Sequence, residues 1–258
     1  MERWQGRVAL VTGASMGIGA EVCRALVQHG MVVVGCARSV DKIKAIAEED
    51  ALKTSPGRLI AIKCDLKEES DILSMFKEIR QRFGRIDVCI NNAGLGENAP
   101  LLTGSATEFR NMLDVNVMAL CICTQQAVQL MRESGIDDGQ IIHISSILGH
   151  KLSTAVPGAH FYCGTKHMVQ ALTEGLRREL KASGSRIKVA SIGPGVVETE
   201  YLVNYWRKDP TIDPYSFLRT FDPLQSKDIA DTVLYILRAP AHAEIHDIII
   251  QPMEHSFL

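Results

Sequence analysis

Val8-Ala9-Leu10-Val11-Thr12-Gly13-Ala14-Ser15-Met16-Gly17-Ile18-Gly19 is the stretch that decides the fold. It opens with an apolar, β-branched run that has no polar alternation, the pattern of a parallel strand covered on both faces. A glycine-rich turn follows, and then a helical pattern of apolar residues at Val22, Leu26 and Val27. The first N–H groups of a helix are free and carry the positive end of its dipole, and glycines before it let a pyrophosphate approach the backbone. The spacing is G-x-x-x-G-x-G, with Ser15, Met16 and Ile18 between Gly13, Gly17 and Gly19, rather than the commoner G-x-G-x-x-G. A glycine-rich turn alone also fits plain turn chemistry. Its place at the first strand-to-helix junction is what favours a nucleotide site.

Working outward, six more short runs read as strands: 31–37, 59–64, 88–91, 141–145, 188–192 and 247–251. Amphipathic segments separate them, among them 68–83, 108–132, 162–181 and 227–238. Strand and helix alternating this often predict an α/β chain: a doubly wound Rossmann-type domain, with a seven-stranded parallel sheet and helices on both faces. No internal repeat, low-complexity tract or linker interrupts it, so residues 1–258 read as a single domain. The rhythm breaks only at 200–223. That stretch holds Tyr201, Tyr205, Trp206, Tyr215, Phe217 and Phe221, six of the chain's 14 aromatic residues. Pro210, Pro214 and Pro223 argue against one long helix there. The segment reads as an aromatic-rich lid over a substrate cleft, or more plainly as a loop held down by its own aromatics.

Composition narrows the class. With 46% apolar and 22% charged residues in 258, the chain is an ordinary globular protein. Lys and Arg number 28 against 30 Asp and Glu, a net charge of −2, so the basic excess of a nucleic-acid binder is missing. Seven scattered cysteines with no C-x-x-C pair predict buried free thiols rather than a disulfide framework. The sequence holds no apolar run of membrane-spanning length and opens with no apolar leader. The expectation is a reduced, cytoplasmic, soluble protein.

The chemistry lies at strand ends. Arg38 and Ser39 follow the second strand, where an NAD-type site would place a carboxylate for the ribose 2′-hydroxyl. Arg38 offers a cation to a 2′-phosphate instead, which predicts NADP(H). Asp65 and Leu66 end the third strand, with Asp65 placed for the adenine amino group. Asn91-Asn92-Ala93-Gly94 end the fourth and would wall the adenosine side. Tyr162 and Lys166 are four residues apart, on one face of a helix. A phenol near pKa 10 is a poor acid–base group at neutral pH, and a fixed cation beside it favours the phenolate. Ser146 lies upstream, able to hydrogen-bond a carbonyl. Asn116 sits inside an apolar helix, where a polar amide needs a reason. His143, His160 and His167 lack metal-ligand spacing, and no metal site is expected.

In order along the chain, TGxxxGxG, NNAG, an Asn in the next helix, ISS, YxxxK and Pro194-Gly195-Val196-Val197-Glu198-Thr199 resemble the short-chain dehydrogenase/reductase family. The resemblance runs from Arg7 to the last strand. It implies Tyr162 as acid/base, Lys166 as the cation beside it and a ligand of the nicotinamide ribose, and Ser146 as the group orienting the carbonyl. Asn116 would hold a water in a proton relay. Gly13, Gly17, Gly19, Asn92, Ala93, Gly94, Pro194, Gly195, Val197 and Thr199 would line the cofactor, the last two at its carboxamide. Tyr201, Tyr205 and Trp206 are expected against an apolar carbonyl or alcohol, steroid- or isoprenoid-like. One departure stands out: Ser146 and Tyr162 are 16 apart, a few residues more than is usual, so the loop between should bulge into or beside the substrate cleft. The family also implies a homodimer or homotetramer. An acyl-thioester reductase and a nucleotide-binding scaffold without chemistry are the alternatives.

Overall fold

The computed structural model describes residues 1–153, 158–206 and 213–254. Seven strands, β1 (Val8–Thr12), β2 (Val32–Ala37), β3 (Arg58–Lys63), β4 (Val88–Asn91), β5 (Gln140–Ile144), β6 (Lys188–Pro194) and β7 (Asp247–Ile250), form one sheet. Their order is β3-β2-β1-β4-β5-β6-β7 and every pairing is parallel. The helices are α1 (Gly17–Gln28), α2 (Val40–Ala47), α3 (Asp50–Lys53), α4 (Glu69–Phe83), α5 (Ala106–Leu113), α6 (Ala119–Glu133), α7 (His160–Ala182), α8 (Glu200–Trp206), α9 (Pro214–Leu218) and α10 (Ser226–Arg238). All seven expected strands are present, within two residues of their expected bounds.

Side-chain alternation along the strands builds two cores. Ala9, Val11, Val33, Ile90, Ile142 and Ile192 pack on one face against Val22 and Leu26 of α1 and Val233 and Leu237 of α10. Leu10, Val34, Cys89, Ile141 and Val189 pack on the other, against Phe76 and Ile79 of α4, Met131 of α6 and Leu180 of α7. Both faces are thus buried, which is why the strands carry no polar alternation. Each fully buried large side chain contributes about 1.5–3 kcal/mol of transfer free energy.

Strand order reverses at β1, which has β2 on one side and β4 on the other. At such a switch point the loops from the strand ends diverge and leave a crevice. The long segment read as one helix over 108–132 is α5 and α6 joined by a π-helical turn, Asp114–Met118. Insertions of this kind widen the helix by one residue and turn a side chain out of the regular stripe. Asn116 lies inside this turn and is buried there. Over 200–223 the described residues form two short helices, α8 and α9, as the prolines require. Residues 207–212 of the expected lid and 154–157 of the lengthened loop lie outside the described residues.

Candidate active site

The crevice at the C-terminal ends of the strands is one cleft of about 660 Å³. The glycine-rich turn forms its floor. Gly13 and Gly17 hold left-handed backbone, φ 67° and 55°. Gly19 allows a close approach: a Cβ there would meet Gly13 O and stand 2.5 Å from Asn92 Nδ2. Asn92 is fixed by Nδ2 donating to Thr12 O (2.8 Å), and the N–H groups of Asn92 and Ala93 both donate to Thr12 Oγ1 (3.0 and 3.1 Å). The two loops are therefore one unit. Helix α1 has no side-chain cap and no acidic residue in its first turn, so its positive end faces the cleft uncompensated.

Arg38 and Ser39 line the same cleft, and among the described residues Arg38 makes no ion pair. Asp65 and Leu66 form the next part of the wall. Asp65 Oδ1 accepts from the Lys67 N–H at 3.1 Å, and its own N–H donates to Asp71 Oδ2 at 2.9 Å. Ser15, Met16, Ile18, Gly94, Pro194, Gly195, Val197 and Thr199 complete the lining anticipated from the sequence.

At the far end stand Ser146, Tyr162 and Lys166. Lys166 is only 4% exposed; its Nζ donates to Ile144 O at 2.9 Å and lies 5.7 Å from the Tyr162 ring centre. Burial lowers the Lys166 ammonium to about 8. Burial also raises the Tyr162 phenol to about 12, against the nearby Tyr201 and Ser146 hydroxyls, which lower it. Ser146 Oγ accepts from the Leu148 N–H at 3.1 Å, which keeps its own O–H free to donate. In the protein alone, then, the phenol is a held acid. It becomes a base only when positive charge or donors gather around it.

Asn116 does not line the cleft. Its carboxamide forms a two-point clamp on the loop after β4: Nδ2 donates to Leu95 O (2.8 Å) and Oδ1 accepts from the Leu95 N–H (2.7 Å). The second N–H donates to Thr165 Oγ1 at 3.0 Å. Both amide protons are spent on protein, so any water it holds must use Oδ1 or the main-chain carbonyl. Trp206 also stands away from the cleft wall. It packs edge-on against Tyr205, ring centres 4.9 Å apart, because 201 and 205 share a face of α8 and 206 points a quarter-turn away. Tyr201 and Tyr205 do line the cleft, and Ser153 and Ala159 place the described ends of the lengthened loop beside it.

Sequence reasoning missed a polar chain across the opening. Lys67 Nζ donates to Asn111 Oδ1 (2.6 Å), and Asn111 Nδ2 donates to Glu97 Oε1 (3.0 Å); all three residues line the cleft. Three separate loops and helices supply them, and no local spacing signals it. His143 is structural: both ring nitrogens are hydrogen-bonded, to Thr124 (3.2 Å) and Thr173 (2.8 Å). Among the described residues no cluster of His, Cys, Asp or Glu could hold a metal, and no helix is long and apolar enough to cross a membrane.

Residues 7–210 match the family model described as short chain dehydrogenase. The chain is 52% identical to dehydrogenase/reductase SDR family member 11 of Gallus gallus, over 98% of this chain and 99% of that one. It is 43% identical to farnesol dehydrogenase of Aedes aegypti, over the full length of both. The closed form of a serine dehydrogenase complexed with NADP+ superposes with a TM-score of 0.85 at 25% identity, covering 97% of this chain and 96% of that one.

Proposed function

The chain belongs to the short-chain dehydrogenase/reductase family, and we propose that it interconverts an apolar ketone or aldehyde and its alcohol with NADP(H). The observation that carries this reading is the convergence of Ser146, Tyr162 and Lys166 at one end of a cleft whose other end holds an uncapped helix N-terminus and Arg38. Those residues fit the cofactor: the α1 N-terminus and Gly13–Gly19 for the pyrophosphate, Arg38 and Ser39 for the 2′-phosphate, Asp65 for adenine. Val197 and Thr199 stand at the carboxamide end. When bound, the cofactor supplies or accepts the hydride.

The rest of the chemistry belongs to the chain. Tyr162 donates its proton to the carbonyl oxygen during reduction and takes it back during oxidation. Ser146 donates a hydrogen bond to the same oxygen as charge develops. The Lys166 ammonium, within 6 Å of the phenol ring, favours the phenolate that this transfer leaves behind. Asn116 holds the loop after β4 against α7 through Leu95 and Thr165, keeping Gly94 beside Lys166. The apolar wall of Leu95, Leu148, Tyr201 and Tyr205 suits a flat or isoprenoid body. A ketosteroid-like ketone is our first choice and a farnesol-like alcohol the second, the latter favoured by the Aedes relative. Met118, at the end of the π-helical turn, and Met168 of α7 are exposed, which supports a homodimer or homotetramer.

The test is oxidation of NADPH, with NADH in parallel, by purified protein with 17-ketosteroids, 3-ketosteroids, farnesal and small diketones. Turnover with NADPH on one class is expected. Binding of NADPH with no turnover of any carbonyl or matching alcohol would return the reading to a scaffold without chemistry.

A further inference from the structure

Among the described residues, three buried side-chain polar atoms have no hydrogen-bond partner in the protein: Asn98 Oδ1, Ser145 Oγ and Tyr201 Oη. All three residues line the one cleft. Buried polar groups are nearly always paired, and each exception calls for a reason. Tyr201 carries the argument furthest. Its ring lies across Tyr162, centres 5.7 Å apart and tilted by 51°. Behind it is Gly96, where a Cβ would stand 2.6 Å from Tyr201 Cζ and closer still to Oη. Only a residue with no side chain leaves room for the phenol. The start of α8 is held as well, by the Tyr201 N–H donating to Thr199 Oγ1 at 3.4 Å. One turn on, Tyr205 is buried against Ala159 and Cys163. The phenol is therefore seated, with its ring across that of Tyr162 and no hydrogen-bond partner for its hydroxyl.

Tyr162 has the opposite need. Once it has given its proton to a carbonyl oxygen, a buried phenolate remains, and a buried charge requires donors. Lys166 Nζ is already directed at Ile144 O. The hydroxyls that act on the Tyr162 oxygen are those of Ser146 and Tyr201, and Ser146 is also needed at the substrate oxygen.

We propose that Tyr201 is a positioning residue of the reaction, seated by Gly96 so that its hydroxyl donates a hydrogen bond to the Tyr162 oxygen whenever that oxygen is a phenolate. The proton of Tyr201 stays on Tyr201; only the Tyr162 proton is transferred, to or from the substrate oxygen. This rests on Tyr162 being the acid/base. The same influence is already visible in the resting phenol, where Tyr201 opposes the upward push of burial. Tyr201 itself is held well above its ordinary range by burial and by Tyr162, so it remains a donor. The titratable groups facing Tyr162 are Lys166 and Cys163 on its own helix and Tyr201 on α8; Tyr205 faces Tyr201, and Glu97 and Glu200 line the same cleft.

The experiment is an ultraviolet difference titration of tyrosinate in the NADP+-saturated enzyme, over the pH range in which circular dichroism shows the fold intact. The ionisation step absent from Tyr162→Phe is that of Tyr162. Hydrogen bonds to charged groups are worth more than neutral ones, so losing this one should raise the step by about one to two pH units. Tyr201→Phe keeps the ring and is expected to produce that shift, or to drive the step beyond the accessible range. Gly96→Ala keeps the hydroxyl but displaces the phenol, and is expected to do the same. A Tyr162 step that stays in place in Tyr201→Phe overturns the inference, whatever Gly96→Ala does, and leaves the proposed function standing. A wild-type enzyme with no step removed by Tyr162→Phe overturns both.

Discussion

Buried polar groups are treated in opposite ways inside the sheet–helix layer and in the cleft at the strands' C-terminal ends. Between β4, β5 and the helices α6 and α7, Asn91, Thr124, His143 and Thr173 form a chain in which every contact is made: Asn91 Nδ2 to Thr124 Oγ1 (2.9 Å), Thr124 to His143, His143 to Thr173, and Thr173 Oγ1 to Val169 O (2.6 Å). In the cleft at the strands' C-terminal ends, Ser145 Oγ, Asn98 Oδ1 and Tyr201 Oη are buried without partners, and Lys166 is buried with one carbonyl. A satisfied network holds a fold together; an unsatisfied one is stable only because the rest of the fold imposes it. The paired groups serve structure; under the proposed function, the unpaired ones in the cleft face a ligand.

Substitutions can break this contrast. The largest effect is expected at His143. Burial lowers its imidazole to about 3 from 6.5, so the folded protein keeps it neutral while the unfolded chain protonates it. Its contribution is complete above pH 6.5 and is lost as the pH falls toward 3, about 5 kcal/mol across the whole window. Urea unfolding at pH 6.5 and pH 5 should differ by about 2 kcal/mol more in wild type than in His143→Gln; equal differences would sever His143 from the fold's acid sensitivity.

Lys166 should behave in the reverse sense. Its folded pKa of about 8 lies below the ordinary 10.5, so below pH 8 the fold carries a charge it would rather not hold. Stability should rise as the pH climbs from 8 toward 10.5. Lys166→Met is expected to gain about 2 kcal/mol at pH 7 and to lose at least a hundredfold in turnover. A variant that is both inactive and less stable would place Lys166 with the structural network instead.

Arg38 lies at the cofactor end and concerns binding alone. Arg38→Glu should move the ratio of kcat/KM for NADPH over NADH by about ten- to a hundredfold toward NADH, with little change in melting temperature. An unmoved ratio would put the 2′-phosphate on another cation. The smallest effect is expected at Ser145, where Ser145→Ala removes a hydroxyl that pairs with nothing and should change unfolding free energy by less than about 0.5 kcal/mol. Thr124→Val, which cuts the satisfied chain, should cost about 1–3 kcal/mol. Equal costs for the two would erase the contrast between the packed layer and the cleft.

The same contrast explains what could be read from the sequence. The glycine turn, Arg38, Asp65 and the Asn92–Gly94 wall follow strands directly, so chain order alone places them at the sheet's C-terminal edge. Tyr162 and Lys166 are joined by the pitch of one helix. Asn116 is visible as an anomaly in an apolar run, but its partner, the Leu95 backbone 21 residues earlier, is not. The seat of Tyr201 against Gly96 joins residues 105 apart, and Lys67, Asn111 and Glu97 meet from three elements. Contacts of that kind depend on how loops fold over the sheet, and neither periodicity nor spacing encodes them. Trp206 shows the opposite case: an aromatic in an aromatic-rich segment invites assignment to the cleft, whereas its ring packs edge-on against Tyr205 and does not line the cleft.

The most direct test of the central claim, that Tyr162 is the acid/base of an NADP(H)-dependent carbonyl reduction, compares wild type with Tyr162→Phe in one preparation. NADPH affinity is measured by calorimetry, and turnover by NADPH oxidation with whichever ketone the wild-type enzyme reduces. We expect unchanged affinity, to within about twofold, and a fall in kcat of at least a thousandfold, near the upper range for loss of a general acid. Turnover within tenfold of wild type, with cofactor still bound, would contradict it.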